Sequence, residues 1–213
     1  MKKGMILSLP NSDLVTQYIS HYSSFVEKEA ENKNIPIKKL CAEEANMKEF
    51  NKVVTKLNYS FIFINGHGSE SEIFGQREPL LKTGINHELM KDRVVYARSC
   101  NSALVLGKAC VENSKGCYIG YNLPFQFYND ENWSGNPEKD PLAGLFIEPS
   151  NLIPISLIKG NSAEFADENS KQIILKRINK TLKEKSEGAF EISLALWNNY
   201  FGQVILGNKK ARL

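Results

Sequence analysis

The 213-residue sequence has no apolar run approaching the roughly 20 residues that cross a bilayer. Excess charge of one sign is also missing: 27 Lys and Arg face 24 Asp and Glu, a net of +3. That is too little to argue for nucleic acid or an acidic membrane surface as the partner. Basic residues gather late, in "LKRINKTLKEK" and "GNKKARL", but glutamates and apolar residues interrupt the first, and both read as solvated surface. Cysteine is sparse. Cys41, Cys100, Cys110 and Cys117 show no paired metal-ligand spacing, which excludes a zinc module and points to free thiols in a cytoplasmic protein. Repeats and low-complexity tracts are missing, and so is a secretory leader. The opening "MKKGMILSLPNSD" carries two lysines, but its apolar run stops at Pro10 without a small-residue cleavage site, so it reads as a first strand.

What is present is an alternation. "GMILSLP" reads as a buried strand ended by proline, and Ser12 can cap the helix after it, whose apolar positions run from Leu14 to Val26 at three- and four-residue steps. "IPIKKLCA" is a second strand and "MKEFNKVVTKLN" a second helix. "SFIFING", "RVVYARSC" and "CYIGYN" are further strands, with "SALVLGKACVENSKG" helical between the last two. These strands are continuous apolar runs rather than alternating ones, as expected where helices cover both faces of a parallel sheet. The fold expected is therefore α/β, a mostly parallel, doubly wound sheet. One domain spans 1–213, with a Rossmann-like core at 4–122. An irregular segment at 123–160, rich in Asn, Pro, Gly and aromatics, is of the kind that carries binding surfaces. Helices and a last strand, "GQVILGN", occupy 161–213, with "FEISLALWNNY" a helix or a strand.

Chemistry collects at strand ends, where open parallel sheets form their sites. His67 follows "FIFING" and stands between Gly66 and Gly68, and Cys100 follows "VVYARS". A thiol at the start of the next helix would lie near a positive dipole, with Arg98 adding to the potential. Gly68 lets the backbone approach a substrate and leaves its N–H for an oxyanion. Taken singly, each residue has a plainer reading: a small buried hydrophobe for Cys100, a turn residue for His67. Their joint placement on successive strands favours a Cys/His pair. His21 and His87 read as surface residues, and Cys41, Cys110 and Cys117 as core. Trp133 could cover a groove, and Trp197 reads as core.

The residues that carry this pair, "FIFINGHG" and "VVYARSCNSA", resemble the caspase-like cysteine peptidases. That fold group includes caspases, metacaspases, legumain, gingipain, separase and the bacterial CHAT-domain proteases. "GCYIGYNLPF", "PISLIKGNSAEFA" and "QVILGNKKARL" look most similar to the bacterial members, although Asn208-Lys209 replaces the usual Asp-Pro and Arg98-Ser99 an acidic or glutamine approach to the cysteine. The resemblance implies a three-layer caspase-like sandwich and a prokaryotic endopeptidase with a His67/Cys100 dyad. Gly68 and Cys100 amides would hold the oxyanion, and no metal or organic cofactor is required. It implies a protein or peptide substrate, with Arg98, Tyr121 and Asp140 among the residues lining its site. Arg98 favours an acidic or polar residue before the cut, whereas Asp140, Glu148 or Asp130 would select Lys or Arg. A regulatory partner, self-cleavage or oligomerisation would control it. The competing expectations are a catalytically silent binding or scaffold module on the same fold, and an amidase acting on a small molecule.

Overall fold

A computed structural model of the chain describes residues 1–185 and 187–213. Strands β1 (Lys2–Leu9), β2 (Ile37–Cys41), β3 (Tyr59–Asn65), β6 (Val94–Arg98), β7 (Cys117–Tyr121) and β8 (Gln203–Gly207) form one sheet in the order β2-β1-β3-β6-β7-β8. All neighbours are parallel except β7 and β8. Met5, Ile6 and Leu7, and likewise Phe61 to Ile64, are fully buried, which explains why these strands read as unbroken apolar runs.

The sheet is the middle of three layers. Alternate strand residues Ile6, Ile62, Ile64, Val95 and Tyr118 face α3 (Met47–Leu57) and α4 (Leu106–Val111). Met5, Leu7, Phe61, Phe63, Tyr96 and Ile119 face α2 (Ser24–Asn32), α5 (Pro141–Ile158) and the start of α6 (Ala163–Glu184). A third apolar cluster ties α1 (Leu14–Tyr22), α5, α6 and α7 (Ala189–Gly202) together outside that layer.

The chain runs from β1 to β2 on one side and then returns to β3 on the other. The connectivity therefore reverses between β1 and β3, and the carboxyl ends of those two strands flank a crevice of the type that ligands use.

Several expectations change. Asp13, not Ser12, caps α1: its side chain accepts from the Thr16 amide in a reciprocal capping box. The helix expected from Leu14 to Val26 is two, because Ser23 stands between α1 and α2. Its buried hydroxyl donates to the Ile19 carbonyl and accepts from Asn65 Nδ2. The irregular stretch after β3 contains an antiparallel hairpin, β4 (Glu72–Phe74) and β5 (Pro79–Lys82). Nearly half of the segment expected to be irregular is the 18-residue helix α5. Its prolines read as breakers, yet Pro141 sits at the first turn, where no amide is needed, and Pro149 and Pro154 are tolerated inside a helix packed against α2 and α6. By length and composition α5 could cross a membrane, but 67% of it is buried in the fold, as a core helix is.

Ile62, fully buried at the centre of the sheet, is expected to lose about 2–5 kcal/mol of stability on substitution by alanine. Ile85→Ala, at a position 65% exposed, should change it by less than about 0.5 kcal/mol. Urea unfolding of the two variants measures the contrast.

Candidate active site

β3 and β6 are hydrogen-bonded neighbours, and their register pairs Asn65 with Arg98. His67 and Cys100 each lie two residues beyond that pair. Equal offsets on adjacent parallel strands bring both to the same rim of the sheet.

Glycine is required on both sides of the histidine. After Gly66 the chain runs beside β4: the Phe74 amide donates to the His67 carbonyl at 2.9 Å, and Gly68 bridges to Ile73. A Cβ on Gly66 would strike the Phe74 carbonyl. On Gly68 it would lie 2.6 Å from the Cys100 carbonyl oxygen and 3.2 Å from the Cys100 nitrogen. The backbone of the histidine loop thus packs directly on the backbone of the cysteine loop, a contact only glycine permits. Among the described residues, neither the Gly68 nor the Cys100 amide donates to a carbonyl or another side chain.

The cysteine loop is held from the other side. The Ala103 amide donates to the Tyr121 carbonyl at 3.0 Å, and the Asn101 amide to the Leu123 carbonyl at 3.4 Å. Asn101 adopts a left-handed conformation, with φ of 57°, which turns the chain before any helix can start. Cys100 is therefore five residues short of α4, and the helix dipole expected at the thiol is not there. The thiol is half-buried and donates to the Phe125 carbonyl at 4.0 Å. Burial pushes the Cys100 thiol up, only partly offset by backbone hydrogen bonding, so it rests protonated near neutrality.

His67 is turned toward a residue that the sequence did not single out. Its Nε2 lies 2.6 Å from Asp13 Oδ2, with the two side chains 47% and 45% exposed. The only hint in the sequence was the N-S-D-x-x-T run at the start of α1, read there as a cap at Ser12.

The three residues expected to line the substrate site are all buried. Arg98 lies beneath the rim at 1% exposure, stacked over the Phe63 ring and donating to Asn151 Oδ1 at 2.7 Å. Burial lowers its own pKa, and its Nε and Nη1 have no partner among the described residues. Tyr121 is a core residue of β7, its hydroxyl 3.4 Å from that of Tyr96 and its ring against Phe125. Asp140 departs furthest from expectation. Oδ1 caps α5 by accepting from the Leu142 and Ala143 amides, and Oδ2 accepts from Tyr18 and the Asp130 amide. A buried carboxylate with four donors is a structural cap, not a free binding group.

The remaining residues fall into place quickly. Glu148 is paired with Arg177, and Asp130 caps the short turn ending at Trp133, which is 36% exposed. His21 faces Glu138 at 3.5 Å, and the His87 ring accepts from the Gly84 amide. Cys41, expected in the core, is exposed at the end of β2, whereas Cys110 and Cys117 are buried. Trp197, also expected in the core, is only partly buried and stacks on the exposed Phe201. No protein-family model matches the chain, and no curated protein matches it.

Two outcomes follow from this geometry. In the folded protein at pH 8, iodoacetamide should modify Cys41 and Cys100 only. Burial pushes the thiols of Cys110 and Cys117 up to about 12, so their modification should wait for unfolding, as peptide mass mapping would read. Gly68→Ala should cost about 1–3 kcal/mol through overpacking, seen as a lower urea midpoint at unchanged slope.

Proposed function

We propose that the chain is a caspase-like cysteine endopeptidase, most similar to the bacterial CHAT-type proteases, acting in the cytoplasm on a protein or peptide. The observation that carries this reading is the packing of Gly68 on Cys100, which holds an imidazole loop and a thiol loop together at one rim.

In the reaction, Cys100 Sγ attacks the scissile carbonyl carbon while its proton passes to His67. The carbonyl oxygen becomes an oxyanion, for which the Gly68 and Cys100 amides are the donors. Collapse breaks the C–N bond, and His67 returns the proton to the departing amine. Water then hydrolyses the thioester, with His67 accepting its proton, and Cys100 is restored. No step requires a metal or organic cofactor. Because burial keeps the resting thiol protonated, its ionisation belongs to the attack itself. This supports control by a partner or by self-cleavage, with the segment around Phe125 moving off the thiol when substrate binds.

One observation favours a second reading. The thiol is half-buried and His67 is engaged by Asp13, as in a silent binding or scaffold module on the same architecture.

Incubation with a peptide mixture, read by mass spectrometry, separates the two. The enzyme reading expects peptide cleavage by the wild type, none with Cys100→Ala, and a loss of about 10²–10⁴-fold with His67→Ala. Equal cleavage by wild type and Cys100→Ala, or none by any of the three, leaves the binding module.

A further inference from the structure

Asp13 stands where chain reversal puts it. Pro10 ends β1, and three residues later Asp13 opens α1. β1 lies beside β3, and β3 beside β6. The carboxyl ends of three strands consecutive in space therefore present Asp13, His67 and Cys100, in that order.

The carboxylate divides its oxygens. Oδ1 accepts from the Thr16 amide at 2.8 Å and the Thr16 hydroxyl at 2.9 Å, while the Asp13 amide donates to Thr16 Oγ1 at 3.0 Å. Oδ2 is left for His67 Nε2 at 2.6 Å. An exposed ion pair is usually worth little, because two mobile side chains must be ordered to form it. Here one partner is already fixed by the capping box, so much of that ordering cost falls away. Burial raises the Asp13 carboxyl, but the contacts with Thr16 and His67 outweigh it and hold it below the usual carboxylate range. An ionised carboxylate can only accept, so Nε2 carries a proton, and in the neutral ring the lone pair then belongs to Nδ1.

We propose that Asp13 is a positioning residue for His67: it grips the ring through Nε2 and leaves Nδ1 as the base for Cys100. This rests on the cysteine-peptidase reading above and adds a third member to the dyad. The carboxylate selects the ring tautomer, limits ring rotation and stabilises the imidazolium formed when the thiol gives up its proton.

The test uses Asp13→Asn and Asp13→Ser, both good helix caps that keep α1 in place while removing the anion. Thr16→Val keeps the carboxylate and breaks the box, and it reports on helix structure alone. All are made in a Cys41→Ser background, so that alkylation by iodoacetamide reads Cys100. Rates are measured across pH 5–9 for these variants, for His67→Ala, and for Asp13→Asn combined with His67→Ala. Asp13→Asn is expected to slow Cys100 alkylation near pH 7 about tenfold, and to have no further effect once His67 is gone, the signature of coupled residues. The ¹⁵N shifts of His67 should show a protonated Nε2 in wild type and a mixed tautomer in Asp13→Asn.

Wild-type rates in both Asp13 variants, with His67→Ala slow, would overturn the role of Asp13 and leave the dyad standing. A slowing by Thr16→Val equal to that by Asp13→Asn would reduce Asp13 to a helix cap. Wild-type rates in His67→Ala would overturn the Cys/His reading and this inference with it.

Discussion

The site depends on one steric fact: the backbone after β3 and the backbone after β6 touch, and they touch at Gly68. The Asn65–Arg98 register brings the two strand ends level, but level ends can still splay apart. The missing Cβ of Gly68 removes the obstacle that would separate them. Once the loops are in contact, the residues that carry the imidazole and the thiol are held at the same rim. The helices, the cap on α5 and the hairpin serve to hold these ends in place.

Much of the architecture was legible because parallel strands buried on both faces leave an unambiguous trace. Met5 to Leu7, Phe61 to Ile64 and Val94 to Ala97 each form a short apolar run, with a polar or glycine exit marking the carboxyl end. His67 and Cys100 stood out for the same reason, as polar groups placed where such a run stops. α5 was hidden by its composition. Four residues that normally break helices, Pro141, Gly144, Pro149 and Pro154, lie in a segment whose stability comes from tertiary burial rather than propensity.

The site was read less completely than the fold. A cysteine followed by Asn-Ser suggests a helix start, but a left-handed Asn101 turns the chain first, and local pattern does not reveal that choice. Arg98 and Asp140 looked like solvent-facing binding groups because charged side chains are seldom buried. Both found partners in residues more than 50 positions away, Asn151 for one and Tyr18 for the other. Asp13 escaped notice because its importance lies in the direction of a single oxygen, fixed by packing between β1 and β3.

The capping box at the start of α1 carries a further consequence. One carboxylate closes the first turn of a helix and also faces an imidazole 54 positions along the chain, so residues 13, 16 and 67 are not free to drift independently. A lineage that relaxed any one of them would disturb either a helix end or a proton's address, and the three should be inherited as a block.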